Sequence, residues 1–374
     1  SHNNVWYIMQ DTEGFMWIVA VVGLNRYDGY NYRIFEYDPE DPDSFQKLIV
    51  TAMCEDNDGL MWFGTRQGIL VHFDRQNEKF IYKELDFNTK RKDSNRINDW
   101  IHNIYDNQQG NLFLCTGRNG LQIFNKKHSH TSNFFEGIIP DDHHLTRCSI
   151  TAAILTGENT LWLSTFRYGI YKYDINKDEL INYLHCEGDN SSLCDNVVYG
   201  LFEDSNNNIW AITHNGLNLF IPETNNFTVF LHDINDPNSI SNNYVHTITE
   251  TFEKEIWIGT YDGLNKYAGG SAFVHYKYDA GDKYSISSNA INYLFTDRTN
   301  VLWIGTDGAG LNKLDCESKK FHSLSRFNIN HDKKNNLNES IGTIIIDSSE
   351  DILVGVRSYD GLFKFTKNNS SELE

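Results

Sequence analysis

The chain has 374 residues, a net charge of −19 and only five prolines, and this length is enough to bury a large core in one big domain or two. The acidic balance argues against nucleic acids and anionic membranes as partners, because both reward a basic surface. No apolar run reaches the length that spans a bilayer, and the first residues, SHNNVWYIMQD, do not read as a signal peptide.

Eight copies of one motif follow each other along the chain. Clear copies read LMWFGTRQGILVHFD, EIWIGTYDGLNKY and VLWIGTDGAGLNKLD. The anchor residues are spaced by 45 to 51 positions and are Trp17, Trp62, Phe113, Trp162, Trp210, Trp257, Trp303 and Leu353. Self-similarity at a nearly fixed period is the signature of a repeat architecture.

Each copy reads as four short strands. An apolar first strand, such as VVYGLFED at 197–204, is followed by a polar turn and then by the Trp strand. A glycine turn leads to a third strand, a fourth strand carries an F-x-x-Y/F pattern, and a loop rich in Asp, Asn and Ser returns to the next copy. Four-stranded units at this period predict an all-β fold, a β-propeller of four-stranded antiparallel blades.

The glycine cluster of VLWIGTDGAGLNKLD resembles a phosphate-binding loop at first sight. A dinucleotide cradle needs a helix after its glycines, whereas LNKLD reads as another strand. We therefore interpret the glycines as scaffold, with no cofactor. Gly305 leaves room for a side chain of the neighbouring blade, and Gly308 and Gly310 lie in a turn where a positive φ is expected.

Six cysteines are too few for a disulfide scaffold. Three of them lie in apolar strand-like runs and are expected to be buried thiols: Cys54, Cys115 and Cys148. Cys186 and Cys194 flank the polar stretch HCEGDNSSLC, and they either pair in an oxidising compartment or stay free.

Metal-like patterns are weak. EDNDG at 55–59 lacks the downstream bidentate Glu of a calcium loop and is better read as a hairpin turn. HSH at 128–130 and DDHH at 141–144 lie in polar stretches without an obvious third ligand. We therefore expect solvated loops and no metal at these positions.

The repeats resemble the two-component regulator propeller family. The resemblance rests on LWIGT-x-x-GL-N-x-Y/L-D followed by F-x-x-Y and D-x-x-S-[LI]-S-x-N-x-[VI], and it is clearest in NSISNNYVHTITETFEKEIWIGTYDGLNKY. It covers roughly residues 4–366. The first copy departs from it, with Val19 and Ala20 in place of Gly-Thr, and the last copy has Leu353 in place of Trp.

The resemblance implies a non-catalytic periplasmic sensor domain of a hybrid two-component histidine kinase from a polysaccharide-degrading gut bacterium. Its ligand would be an oligosaccharide, and a homodimer is a further expected partner. The full-length protein would carry two propellers, an immunoglobulin-like domain, a membrane helix and a kinase. This chain would be the first propeller, part of an inner-membrane protein that meets the membrane only through those later modules.

The number of blades stays open at this stage. Seven blades are favoured because of the resemblance, with the propeller at 1–330 and an eighth repeat at 331–374 that starts a second propeller. The alternative is an eight-bladed ring in which that repeat, which stops after its third strand, is the last blade.

Candidate ligand-binding residues lie at one end of the predicted propeller, where the loops before the first strands and the turns between second and third strands share a face. Trp100 precedes a first strand, and a Trp at that place can stack on a sugar ring. The turns differ strongly among copies and contribute Arg66, Arg118, Arg167, Tyr168, His214, Asn215, Tyr261, Asp262, Asp307, Arg357 and Tyr359.

Two other functions compete with ligand sensing. A propeller-fold glycosidase or lyase would need two carboxylates converging on the central channel, and no pair stands out in the sequence. A protein-interaction scaffold would instead present a broad apolar patch. With Trp100 and the turn residues, the sequence favours binding without catalysis.

Overall fold

The strands begin and end where the repeat predicts. The computed structural model describes residues 5–20, 24–28, 32–35, 37, 40, 45–46, 48–85, 99–157, 159–296, 300–315, 320–323, 341–346, 351–356 and 362–365. Within these residues the strands form eight sheets, each antiparallel and each ordered as in the chain. A short 3₁₀ helix, His144–Thr146, interrupts the loop between the third and fourth sheets.

Each of the first seven sheets contains four strands. The first two sheets comprise β1 (Val5–Gln10), β2 (Met16–Ala20), β3 (Leu24–Tyr27), β4 (Tyr32–Phe35), β5 (Val50–Glu55), β6 (Met61–Thr65), β7 (Ile69–Asp74) and β8 (Lys79–Glu84). The next two comprise β9 (Ile101–Asp106), β10 (Asn111–Thr116), β11 (Leu121–Asn125), β12 (His130–Asn133), β13 (Ile150–Thr156), β14 (Thr160–Thr165), β15 (Ile170–Asp174) and β16 (Glu179–Tyr183).

The later sheets follow the same plan. The fifth and sixth comprise β17 (Val198–Glu203), β18 (Ile209–Thr213), β19 (Gly216–Ile221), β20 (Asn226–Phe230), β21 (Val245–Glu250), β22 (Ile256–Thr260), β23 (Gly263–Gly269) and β24 (Ala272–Tyr276). The seventh comprises β25 (Ile291–Thr296), β26 (Leu302–Thr306), β27 (Leu311–Asp315) and β28 (Lys320–Ser323), and the eighth has three strands, β29 (Ile341–Ile346), β30 (Ile352–Val356) and β31 (Leu362–Phe365).

The sheets are the blades of a β-propeller, as the sequence predicted. Seven of the eight sheets are complete, four-stranded blades. The eighth, three-stranded sheet lies beside the seventh, where β29 contacts β25, and beside the first, where β29 contacts β1. The division of the chain at residue 330 stays a prediction.

The second strand of each blade is the packing centre. Every described residue of β26, including Trp303, is buried on both faces of the sheet, as expected for a blade covered by two neighbours. The indole N–H of the anchor Trp is satisfied by an Asp of the preceding turn in several blades. Trp62 donates to Asp56 Oδ2 at 2.7 Å, and Trp210 donates to Asp204 Oδ2 at 2.9 Å.

The glycine after the anchor Trp permits close contact between blades, which confirms the prediction for Gly305. A Cβ built on Gly305 would overlap Ile341 of the eighth sheet. A Cβ on Gly259 would lie 2.6 Å from Ile291 Cγ2 of the following blade, closer than carbon atoms can approach. The expected positive φ of the turn is also present, with 74° at Gly308 and 77° at Gly310.

Candidate functional site

The loops that lead into the first strands and the turns between second and third strands are joined by backbone hydrogen bonds. In six blades the first turn residue donates its N–H to the carbonyl just before the first strand, over 2.7 to 3.1 Å. The donor–acceptor pairs are Arg66–Ile49, Gly117–Trp100, Phe166–Ser149, His214–Val197, Tyr261–Tyr244 and Asp307–Ala290. The predicted single face, which we call the upper face, therefore exists, and its loops are held by the scaffold.

A β-bulge at the start of each first strand adds side chains to the upper face. The strand register skips the second residue of each first strand, as at Tyr199 in β17 and His246 in β21. Bulges leave a residue unpaired and re-aim its side chain. Tyr199 and His246 are both exposed, and His102 holds the same position in β9.

An open cavity of about 390 Å³ lies at the contact between the fifth and sixth blades, which we call the blade 5–6 junction. It is lined by Asp195, His214, Asn215, His232, Asn242, Asn243 and Tyr244. These side chains come from the two loops that precede β17 and β21 and from the turn between β18 and β19. Concave sites with a few polar groups among aromatic rings are typical of small-molecule binding.

The rings at the blade 5–6 junction support one another. A 2.8 Å hydrogen bond joins His214 Nδ1 to the hydroxyl of Tyr199. The His214 ring also packs edge-on against the Tyr244 ring, with centroids 5.8 Å apart. Phe166 of the fourth blade lies 6.4 Å from the Tyr199 ring. Tyr199 and Tyr244 remain 47% and 56% exposed, so both present ring surface to solvent.

The contact between the second and third blades, the blade 2–3 junction, has the same plan with different chemistry. The Arg66 guanidinium lies 4.1 Å from the centre of the Trp100 ring, a cation–π contact. Trp100 is 38% exposed, and His102 lies behind it with ring centroids 5.8 Å apart. The predicted Trp100 and Arg66 are therefore brought together.

Asp99 is buried beside Trp100. Its Oδ2 accepts a hydrogen bond from Asn119 Nδ2, whereas its Oδ1 has no hydrogen-bond partner within the described part of the chain. Burial raises the pKa of Asp99 above its ordinary value, although hydrogen bonds from Asn119 and neighbouring groups act in the opposite direction. The absence of a side chain at Gly117 allows close packing here, since a Cβ would lie 3.2 Å from Asp99 Oδ1 and 3.4 Å from His102 Nε2.

Several predicted residues have structural partners. Asp262 accepts from Lys277 Nζ at 2.8 Å and from Asn289 Nδ2 at 3.0 Å. Asn215 accepts from Asn243 Nδ2 at 3.0 Å and so links the fifth blade to the sixth.

Tyr168 stacks on His144 of the 3₁₀ helix, with centroids 4.2 Å apart. The DDHH stretch at 141–144 therefore forms packing contacts and is more than a solvated loop, whereas the turn interpretation of 55–59 is confirmed by the backbone hydrogen bonds that Asp56 accepts.

The other predicted residues are more open. Arg118, Arg167 and Tyr261 are exposed on the upper face, and the Tyr261 ring lies 6.4 Å from the ring of His246. Asp307 is exposed at the tip of its turn. Arg357 and Tyr359 lie outside the described residues.

The sequence reasoning missed four residues of this face: Tyr199, Tyr244, His102 and His246. Their signal is present in the repeat. Tyr244, like Trp100, stands immediately before a first strand, and the other three occupy the bulge, where other copies have Thr51 or Thr151. An aromatic ring or imidazole at a position that is threonine in two other copies is the signal that the sequence offers.

Cys194 shows how the loops before the first strands are fixed. Its backbone N–H donates to Asn218 Oδ1 at 3.0 Å, as Ser241 and Ser287 donate to Asn265 and Asn312 in the next blades. Its thiol takes the place of those serine hydroxyls, accepting from Asn218 Nδ2. Cys186 and Cys194 are both free thiols in the structure.

Among the described residues, no three His, Cys, Asp or Glu side chains converge in a way that would hold a metal ion. Within the same residues, no helix has the length and hydropathy needed to cross a bilayer.

Comparison with known proteins identifies the repeat. The family model described as "Two component regulator propeller" matches residues 44–67, 192–215, 239–262 and 285–308. Each of these segments runs from a loop before a first strand to the following turn. No curated protein matches the sequence.

Solved structures show the same fold. The extracellular domain of BT3049 from B. thetaiotaomicron, described as a hybrid two component system, is 18% identical with a TM-score of 0.59, over 100% of this chain and 60% of that domain. The computationally designed Ika8 protein is 11% identical with a TM-score of 0.63, over 98% of this chain and 97% of the Ika8 chain. PorZ, a surface component of the type-IX secretion system of Porphyromonas gingivalis, is 14% identical with a TM-score of 0.57, over 96% of this chain and 52% of the PorZ chain. At these identities the similarity concerns the fold.

Proposed function

Because the chain carries two-component regulator propeller repeats, we propose that it is a non-catalytic sensor propeller of a hybrid two-component system, that it acts in the periplasm and that it binds an oligosaccharide on its upper face. The observation that supports this most is the blade 5–6 junction, where exposed rings and amides line one cavity. The chain spans 60% of the BT3049 domain, so kinase signalling belongs to the proposal for the whole protein.

The chemistry of the cavity suits a neutral sugar. Tyr199 and Tyr244 offer ring faces for the apolar side of a pyranose, while Asn242, Asn243 and Asp195 offer acceptors and donors for hydroxyl groups. The rings are held by contacts with His214 before any ligand arrives. Such preorganisation lowers the entropy that binding costs.

Signalling follows from differential affinity. A ligand that binds one arrangement of propellers or subunits more tightly shifts the population toward it, by no more than the difference in binding free energy. The cavity is formed jointly by two blades, so a ligand there bridges the loops of both. In a homodimer of the full-length protein, such a ligand can favour one arrangement of the two subunits over another.

Titration calorimetry with a panel of purified neutral oligosaccharides tests the binding. We expect saturable binding by at least one, weakened about 2- to 12-fold by Tyr244→Ala, because an aromatic contact contributes about 0.5–1.5 kcal/mol. Phe252→Ala is the matched control, since Phe252 is 66% exposed and lies in a turn on the opposite face. Equal effects of the two variants would remove the cavity from the binding site.

The enzyme alternative is tested in the same experiment. Asp195 is the one carboxylate that lines the cavity among the described residues, and glycoside hydrolysis uses a pair. Chromatography of the oligosaccharides after prolonged incubation should show no products. Product formation that is lost in Asp195→Asn would establish catalysis instead.

A further inference from the structure

The blade 2–3 junction and its neighbours carry positive charge on an acidic protein. Arg66, Arg118 and Arg167 lie in the corresponding turns of three successive blades, and all three are exposed. Within the described residues, no salt bridge involves any of them. By contrast, the one cation beside the sixth-blade turn, Lys277, is paired with Asp262 at 2.8 Å. We call these three exposed guanidinium groups the arginine arc.

Beneath the arc, Gly117 brings its turn close to two polar side chains. Asp99 is 7% exposed, and its Oδ1, which has no hydrogen-bond partner among the described residues, is closed off from solvent. His102 Nε2 is hydrogen-bonded to Ser149 Oγ at 3.2 Å. The Gly117 N–H donates to the Trp100 carbonyl at 2.8 Å, which fixes the start of the turn that carries Arg118.

The position of Arg66 suits a ligand that is both a ring and an anion. The Trp100 ring lies 4.1 Å from the Arg66 guanidinium, and a guanidinium group can bind a carboxylate or sulfate through two N–H groups at once. Arg118 follows Gly117 directly, and its positive charge acts to lower the pKa of Asp99, against the larger effect of burial. The negative charge of the whole chain opposes an anionic ligand only weakly at this range, because the Debye length is about 8 Å at physiological salt.

We propose that the blade 2–3 junction is a subsite for an acidic sugar unit, whose carboxylate or sulfate is bound by Arg66 and Arg118. Arg167 extends the arc toward the next unit of the chain. This inference rests on the proposed oligosaccharide-binding function and names the class of ligand, an acidic oligosaccharide. It is also independent of the neutral rings of the blade 5–6 junction.

The experiment compares three probes of similar length by titration calorimetry: a tetragalacturonate as the carboxylated probe, a heparin-derived tetrasaccharide as the sulfated probe and maltotetraose as the neutral one. We expect one of the acidic probes to bind more tightly than the neutral probe. Raising NaCl from about 50 to about 500 mM should weaken that binding, because salt screens charge interactions. The preferred acidic probe distinguishes a carboxylate ligand from a sulfate ligand.

Two variants locate the site. Arg66→Gln and Arg118→Gln should each weaken the acidic probe about tenfold or more, since a hydrogen bond to a charged group contributes about 1.5–3 kcal/mol. Lys177→Gln removes the same charge from an exposed side chain on the opposite face and should leave affinity unchanged. Thermal melts of all three variants check that they fold.

Each outcome decides between the proposals. If the arginine variants match Lys177→Gln, or if only the neutral probe binds, the acidic subsite is wrong. In the second case a Tyr244-dependent neutral ligand still supports the proposed function. If no oligosaccharide in either set binds, both proposals fail.

Discussion

The two junctions place related residues in equivalent positions and differ in charge. At each, an aromatic residue just before a first strand contacts the first turn residue of the preceding blade: Trp100 meets Arg66, and Tyr244 meets His214. An imidazole follows two residues later at the bulge in both cases. The scaffold therefore supplies the same pair of positions twice, and the side chains alone decide whether an arginine or a histidine meets the aromatic ring.

The first residue of the turn that follows each junction also differs. In the sixth blade Thr260 pairs with Gly263, so a two-residue turn presents Tyr261 and Asp262. In the third blade the ladder ends earlier, at Cys115 and Leu121, and the wider turn begins with Gly117. The position that Tyr261 fills in one blade is empty in the other. The glycine, and not the turn length, explains the difference, since the equally wide turn of the fourth blade carries Phe166 at this position.

The largest expected effect concerns the scaffold that both junctions share. Gly305→Ala should lower the free energy of unfolding by about 1–3 kcal/mol, because the added methyl overlaps Ile341 in a packed interface. Chemical denaturation measures it. Ligand preference at the two junctions should not change, since neither contains Gly305.

Gly200→Ala is the matched control. Gly200 is also a strand glycine, but a Cβ there meets no atom within 4 Å, and a compatible Gly→Ala change stabilises by about 0.4–1 kcal/mol through the unfolded chain. If Gly305→Ala behaves like this control, the eighth sheet does not pack against the seventh, and the eighth repeat belongs to a second propeller.

Much of the fold was predictable because it repeats. A pattern that recurs in eight copies assigns strands and turns more securely than a single copy does. The strand order, the shared upper face and the role of Gly305 therefore follow from the pattern and from sterics. The family resemblance favoured seven blades, and seven four-stranded sheets are present. The position of the eighth sheet was left open, because packing of Ile341 against its neighbours is a three-dimensional contact that no local pattern encodes.

The candidate site was predictable only in part. Trp100 and the varied turns stood out as departures from the repeat, but their partners did not. Tyr168 was predicted as a binding residue, and its stacking on His144 depends on a 3₁₀ helix found in one loop. The free oxygen of Asp99 depends on which way Asn119 points, and side-chain orientation is set by tertiary packing.

A smaller effect separates the two junctions. Trp100→Ala removes the ring beneath Arg66, a contact that contributes about 0.5–1 kcal/mol at an exposed site. We expect the acidic probe to bind about 2- to 5-fold more weakly, and the melting temperature to change little, because Trp100 is 38% exposed. Tyr244→Ala is the reciprocal variant and should leave the acidic probe unaffected. If both variants weaken both classes of ligand equally, the junctions form one continuous site.

The smallest effect is a pH dependence at Asp99. Burial raises its pKa above the ordinary value of 3.8, so the folded state favours the protonated carboxyl. That stabilising contribution is complete below pH 3.8 and is lost as the pH rises through the folded pKa. Asp99→Asn does not ionise, so its melting temperature relative to wild type should be higher at pH 7 than at pH 3.5. Asp142→Asn, at an exposed position, serves as the control, and the same pH trend in both variants would show that Asp99 is not the source. A difference confined to Asp99 would show that burial holds its carboxylate at a cost in the folded protein.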